Sequence, residues 1–527
     1  MRTSITLFVS CCCLGSLAAA ESTPDPATAI AADAVAMVRF NDLPRSAIRY
    51  QQTPYARLME SALGKRAREE LSLAMRSALP HGIDPAAVAG SARRLAFGIH
   101  LPTTIPLSPW LQVATTVDDP APLTAALAPL FPNQLAAGDP AVDTLMGAAG
   151  SLQWRDRLAV FTSINAPGMA DQHAPAITAS VWPTIDAAAD VEGTYRTEAA
   201  FTAVEAHGHQ APRARSLPTM TFSLRFDRIG MREHADLTYA PADMARLEDV
   251  TWKPADTRLF ASLPASTLSA LVIRCDGDLT RRWIELHGEG IDEPSLARID
   301  ALLQTQGLPA YWDLMTRLDG DILVYTEESA PFPVVSAVMA IDPAIGSRLI
   351  EVIRTHLLGP PGDAMLGMIG PVAIYGEQRG PDLILTTNPA GIDAVAMRQK
   401  GFTDHAEIRE ALAEIKADAI VAGVSRSGAS WGTVAQLAAI PLSALGIRQL
   451  MTLPQDVRKA GRYGFVSCSP NASGFSLDAG GLLGGPIGCC MFGAMGPALA
   501  IPNLMRASAD RVETEGPREV TPPLKSF

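Results

Sequence analysis

Residues 428–432, Gly-Ala-Ser-Trp-Gly, come nearest to a catalytic motif in this 527-residue chain. A GxSxG turn between a strand and a helix lifts a serine hydroxyl clear of the sheet for attack on an acyl carbon, and residues 417–425 read as the strand that would precede it. That chemistry also needs an acid and then a histidine later in the chain. The last histidine is His405, upstream of Ser430, so no base follows to activate the hydroxyl.

The remaining candidates weaken in the same way. His207 and His209, with Glu205 nearby, offer two imidazoles, but a zinc site takes three or four ligands and neither HExxH nor paired CxxC occurs. Asp276-Gly277-Asp278 and Asp319-Gly320-Asp321 resemble the start of calcium loops. Neither continues into alternating oxygen ligands and a closing glutamate, so both read as turns beside strands. Asp118-Asp119 precedes Pro120 as a helix N-cap would. The sequence therefore assigns no catalytic, cofactor-binding or metal-ligating residue, and no cofactor is expected.

The elements that would hold these residues recur. Residues 32–43, 266–279 and 417–430 each run an apolar strand into a polar turn. Residues 55–79 follow the first with Leu58, Leu63, Leu71, Met75 and Leu79 near helical spacing. Gly82 stands fifteen residues before Phe97 and Gly307 fifteen before Ile322, and two apolar strands end in Asp-Pro at Pro120 and Pro343, where a helix can begin. This spacing predicts an α+β fold of duplicated strand-helix-helix-strand-strand-helix-strand units with mixed, mainly antiparallel sheets. The expected units cover residues 30–195 and 262–400. Residues 196–261 are a linker and β-hairpin, with the turn at Asp227-Arg-Ile-Gly230, and residues 401–478 are a partial third unit completing the second domain.

Both ends of the chain read as addresses. Residues 1–20 hold one charge, Arg2, then an apolar stretch ending in Ala18-Ala19-Ala20, the pattern of a cleavable secretory signal. Val9-Ser10-Cys11 partly matches a lipobox, with Phe8 in place of the usual aliphatic residue, which leaves lipidation at Cys11 open. Residues 479–505 carry no charge but contain seven glycines and three prolines, before a tail at 506–527 that begins with Arg506. A positively flanked apolar stretch of that length fits a transmembrane anchor, helical over residues 482–501; the other reading is a glycine-rich stretch folded on the core. Beyond the signal only Cys275, Cys468, Cys489 and Cys490 remain, too few to staple a chain of this size. A Cys275–Cys468 bridge is allowed, not required. The formal charge of −12, with six lysines among 43 basic residues, argues against nucleic acid as a partner.

The strand entry at residues 32–42, and Leu263-Pro264-Ala265-Ser266-Thr267 still more, resembles an uncharacterised extracytoplasmic domain-of-unknown-function family whose copies begin with an LPADT-type entry. That resemblance implies an envelope location and no catalytic residues. The expectation is a secreted, non-enzymatic cell-envelope scaffold or binding protein of unknown ligand, in the periplasm or on the cell surface, with membrane association through the C-terminal segment. An extracytoplasmic hydrolase with an unrecognised site and an envelope lipid or small-molecule carrier are the alternatives.

Overall fold

The computed structural model describes residues 24–60, 65, 91–101, 109–127, 131, 133–135, 143–148, 150–167, 169, 181–206, 218–247, 250–277, 281–282, 293–317, 319–329, 333–356, 359, 364–369, 372–396, 400–430, 432–433 and 453–482. They form nineteen strands: β1 (Ala36–Phe40), β2 (Ala92–His100), β3 (Trp110–Val117), β4 (Asn133–Leu135), β5 (Asp143–Gly147), β6 (Gly150–Arg155), β7 (Leu158–Ser163), β8 (Val191–Arg196), β9 (Thr219–Asp227), β10 (Gly230–Thr238), β11 (Thr267–Cys275), β12 (Gly320–Glu327), β13 (Val334–Ala340), β14 (Met365–Ile369), β15 (Val372–Arg379), β16 (Asp382–Thr386), β17 (Val421–Ser425), β18 (Gly464–Asn471) and β19 (Gly474–Gly481). Hydrogen-bonded neighbours run β4-β5-β6-β7-β3-β2-β1-β8-β9-β10-β19-β18-β17-β11-β12-β13-β16-β15-β14, and every pairing is antiparallel.

This corrects the expected fold class. The chain builds one large antiparallel sheet that dominates the structure, not duplicated α+β units with mixed sheets of their own. Neighbour order is β1-β2-β3-β7 on one side and β11-β12-β13-β16 on the other, yet neither side closes a separate sheet. The physical reason lies in the segments expected to be linker and partial unit. They supply β8 to β10 and β17 to β19, and pairing of β10 with β19 satisfies backbone groups that two separate sheets would leave as open edges.

Local chemistry sets the elements. β3, Trp-Leu-Gln-Val-Ala-Thr-Thr-Val, buries alternate residues, as a strand with one tightly packed face must. Asp42 and Asp342 cap the helices that follow them, Asp42 Oδ1 accepting from Arg45 N at 2.9 Å and Asp342 Oδ1 from Ala344 N at 2.9 Å. The β9–β10 hairpin turns where the sequence places it, closing Asp227 against Gly230. Gly230 has φ +128, and a Cβ there would stand 2.3 Å from the Gly481 carbonyl oxygen, so the turn and the β19 contact both require glycine. Helix Pro54–Glu60 occupies the start of the expected 55–79 helix; apart from Lys65, its continuation lies outside the described residues.

Separate cores cover the sheet. Phe40, Leu95, Phe97 and Phe222 form one, and Met37, Ala96, Val160 and Trp182 another beneath the 3-10 helix Pro26–Ala29. Helix Pro343–His356 contributes Ile345 and Ile350 to a core with Leu303, Leu366 and Leu383. The uncharged stretch expected from residue 479 starts inside β19. Leu482 is buried, donates its N–H to Ser427 Oγ at 3.2 Å, and residues from 483 onward lie outside the described residues. No helix among the described residues is long and apolar enough to cross a membrane, which says nothing of crossing by strands.

At the seam of β10 and β19, His234 faces Asp478. Its Nδ1 lies 2.8 Å from Asp478 Oδ1 and its Nε2 3.2 Å from Asp236 Oδ2, while Lys416 Nζ lies 2.6 Å from Asp478 Oδ2. The hydrogen bond to Asp478 raises the imidazole pKa above 6.5, against the opposing pull of burial. Protonated His234 thus stabilises the fold fully below pH 6.5, and this contribution is lost as pH rises through the folded-state value. His100 has the opposite sign: burial lowers its pKa, so stability falls as pH drops below 6.5. In urea titrations the stability gap between wild type and His234→Asn is expected to be widest below pH 6.5 and to narrow above it. A gap that does not vary with pH would show that His234 carries no linked proton.

Candidate functional site

A cleft of about 430 Å³ lies between the 3-10 helix Thr257–Ser262 and the sheet. Ligand sites are typically a few hundred Å³ or more, mostly apolar, with a few convergent polar groups. Leu323 and Tyr325 of β12 and Val338 and Ala340 of β13 make its floor. They come together because β12 pairs with β13 and period-two alternation sends Leu323, Tyr325, Val338 and Ala340 to one face.

The wall is Leu259, Ser262, Leu263 and Pro264. Asp256 caps the 3-10 helix, its Oδ1 accepting from Arg258 N at 3.1 Å. Phe260, fully buried in one core with Val272, Tyr325 and Phe402, holds the wall against the sheet. Phe402 N donates to the Leu263 carbonyl at 3.1 Å and Pro264 bridges Gly401, so the chain at 400–402 fixes the wall from behind.

Four charged side chains ring the mouth: Asp256, Arg258, Asp321 and Asp382. Arg258 grips Asp256 with two bonds, Nε to Oδ1 at 2.7 Å and Nη2 to Oδ2 at 2.9 Å, and this pairing lowers the Asp256 pKa. Asp321 accepts the Asp256 N–H at 3.3 Å, and its Oδ2 lies 3.7 Å from Arg274 Nη1. Arg274 spends its other amino group on Asp319. Burial pushes the Asp321 carboxyl above its ordinary value, the direction expected of a carboxylate facing a partly dry cleft. Asp382 has no hydrogen-bond or ion-pair partner for its carboxylate among the described residues. Burial also pushes the Tyr325 phenol up to about 12.

The residues singled out by sequence do not meet here, with one exception. Ser430 Oγ donates to the Leu268 carbonyl at 3.1 Å, while His405 Nε2 is hydrogen-bonded to the Ala265 carbonyl at 2.9 Å, so the two form no nucleophile–base pair. Ser427 lines a second, shallower trough of about 320 Å³ along β11, β12, β17, β18 and β19, which Gly423, Gly464 and Gly481 keep open; Ser430 does not line it. Asp118 pairs with Arg93 and Asp119 Oδ1 accepts from Ala121 N at 2.9 Å, the capping geometry expected before Pro120. Cys275 and Cys468 form no disulfide with each other. Glu205 lies near the end of helix Thr197–Ala206; His207, His209, Asp278, Cys11, Cys489 and Cys490 lie outside the described residues. No group of three metal-ligating side chains occurs among the described residues.

The exception is Asp321, read from sequence only as part of a turn. Asp256 and Asp382, which line the same cleft, lie 65 and 61 positions away in the chain, and no spacing rule links them. Only the adjacency of β12, β13 and β16 does.

No protein-family model matches this chain, and no curated protein matches it. Among solved structures, crystal forms I and III of TP0453 are similar at TM-scores of 0.17 and 0.16, with 6% and 8% sequence identity, over 72% of this chain and 98% and 99% of that one. Superposition this loose carries no argument about fold or function.

Proposed function

We propose that this chain is a non-catalytic binding protein of the cell envelope, working outside the cytoplasm, and that its ligand site is the cleft between the 3-10 helix Thr257–Ser262 and β12–β13. The observation that carries the reading is the cleft itself: an apolar floor and wall under a rim of a few charged groups, of a size that suits a small ligand. The signal-like residues 1–20 support the envelope location. Against an acyl-transfer enzyme stands the commitment of the Ser430 hydroxyl and the His405 ring to separate backbone carbonyls.

The test is binding of the neutral apolar fluorophore N-phenyl-1-naphthylamine. Saturable emission is expected with wild type and its loss with Ala340→Trp, since Ala340 is an exposed residue of the cleft floor and an indole there fills the space without entering the core. Equal binding by Ala340→Trp, with an unchanged circular dichroism spectrum, would remove the cleft as the site.

A hydrolase using carboxylates instead of Ser430 is the second reading, favoured by the raised Asp321 beside Asp256 and Asp382. It requires turnover of an ester or glycoside that Asp321→Asn abolishes.

A further inference from the structure

We infer that the cleft is built for a small amphiphile carrying a protonated amine, its hydrocarbon part lying on Leu323 and Val338 and its ammonium group between Asp321 and Asp382. The inference rests on the proposed binding role of the same cleft and adds the ligand's chemical class.

Three observations converge on it. The cations near the mouth are already committed: Arg258 to Asp256 through two hydrogen bonds, Arg274 to Asp319, and Lys253 Nζ, 3.5 Å away, to Asp319 as well. Asp382 is left with an uncompensated charge among the described residues, and Asp321 meets a guanidinium nitrogen only at 3.7 Å, beyond hydrogen-bond reach. A bound ammonium offsets both carboxylates at once, whereas an anion would meet them with no free guanidinium to receive it.

The second observation is Tyr325. The residue is 1% exposed and lines the cleft, and its hydroxyl interacts with the Ser336 side chain, so the apolar part of a ligand meets no polar atom in need of a partner there. An ammonium has three N–H donors, enough for both carboxylates at the rim.

The third is the apolar floor and wall. Leu259, Leu263, Leu323 and Val338 offer hydrocarbon surface, and the one hydroxyl of the wall, Ser262 Oγ, already donates to the Leu259 carbonyl at 2.6 Å, so selectivity comes from the charged end of the ligand. An inorganic cation would leave that surface wet, and no three-ligand metal cluster occurs among the described residues.

The experiment is calorimetric titration of the purified protein with n-hexylammonium, n-hexanol and n-hexanoate, which share a chain length and differ only at the head group. Wild type is expected to bind hexylammonium about tenfold more tightly than hexanol, the scale of one charge-assisted hydrogen bond, and hexanoate more weakly still. Asp382→Asn, an isosteric change at the start of β16, is expected to erase the preference of ammonium over alcohol while leaving hexanol binding as it was. If hexanol or hexanoate binds as tightly as hexylammonium, or if the preference survives Asp382→Asn, the ligand class is wrong and the cleft stands as a binding site. If none of the three binds and N-phenyl-1-naphthylamine is also indifferent to Ala340→Trp, the binding reading itself fails.

Discussion

Glu192→Gln is expected to lower unfolding stability by about 3 kcal/mol, the scale for breaking a buried ion pair by removing one member. Glu192 is fully buried on β8 and faces Arg39, itself 3% exposed, directly across β1. Arg39 donates from Nε and Nη2 to Glu192 Oε1 at 3.0 and 2.5 Å, and the other carboxylate oxygen, Oε2, accepts the N–H groups of Ile185 and Asp186 at 2.6 and 3.0 Å. A carboxylate serves both sets of donors. An amide has one carbonyl oxygen, so either the guanidinium or the two backbone donors must face an NH₂ group. Asp25, 2.5 Å from Arg39 Nη1, offsets part of the orphaned charge, which keeps the loss at the lower end of the range. The double variant Arg39→Met, Glu192→Gln removes the clash and is expected to recover more than half of the loss. Urea midpoints with unchanged slopes measure both. If the single variant lies within about 0.5 kcal/mol of wild type, the range of an ordinary surface substitution, the pair is not holding β1 to β8.

Phe260→Ala is the other change of this size, with an expected cost of about 3–5 kcal/mol. Phe260 has 0% exposure and plugs the 3-10 helix Thr257–Ser262 into the core beneath β11, β12 and β17. Removing the ring leaves a cavity that its neighbours close poorly, because Phe402 and Tyr325 on either side are equally buried and already packed. Phe260→Leu keeps most of the volume and is expected to cost far less. Since Phe260 backs the cleft wall, the alanine variant should also lose N-phenyl-1-naphthylamine binding below its unfolding transition, whereas Glu192→Gln, in a different core, should not. A Phe260→Ala protein with a wild-type midpoint would mean that the 3-10 helix is not anchored to the sheet through this ring.

Strand positions were legible wherever a β-branched, apolar run met a turn residue. Residues 32–43, 266–279 and 417–430, each expected to run an apolar strand into a polar turn, hold β1, β11 and β17. The Asp227–Gly230 hairpin and the Asp119 and Asp342 caps were legible for the same reason: each depends on residues within four positions of one another. The candidate site was not legible. Asp321 looked like a turn residue because Asp-Gly-Asp is ordinary turn composition, and nothing local distinguishes it from Asp276, which starts the same triplet after β11. Asp382 and Tyr325 carried no motif at all. What marks them is their place on one cleft, Tyr325 buried in its floor and Asp382 without a partner among the described residues, properties of the folded neighbourhood alone.

The sequence by itself determined the periodicities, the caps, the turns and the absence of any complete catalytic or metal-binding signature, because these follow from residue types a few positions apart. Only the tertiary structure decided that β10 pairs with β19, 234 against 478, and so that one antiparallel sheet replaces separate units with mixed sheets. Pairing between strands that far apart depends on which backbone edges remain open after every local choice is made, and a one-residue shift would turn the His234 face into the Glu233 face. The cleft follows from the same step: β12, β13 and β16 must lie side by side before Asp321 and Asp382 share a rim.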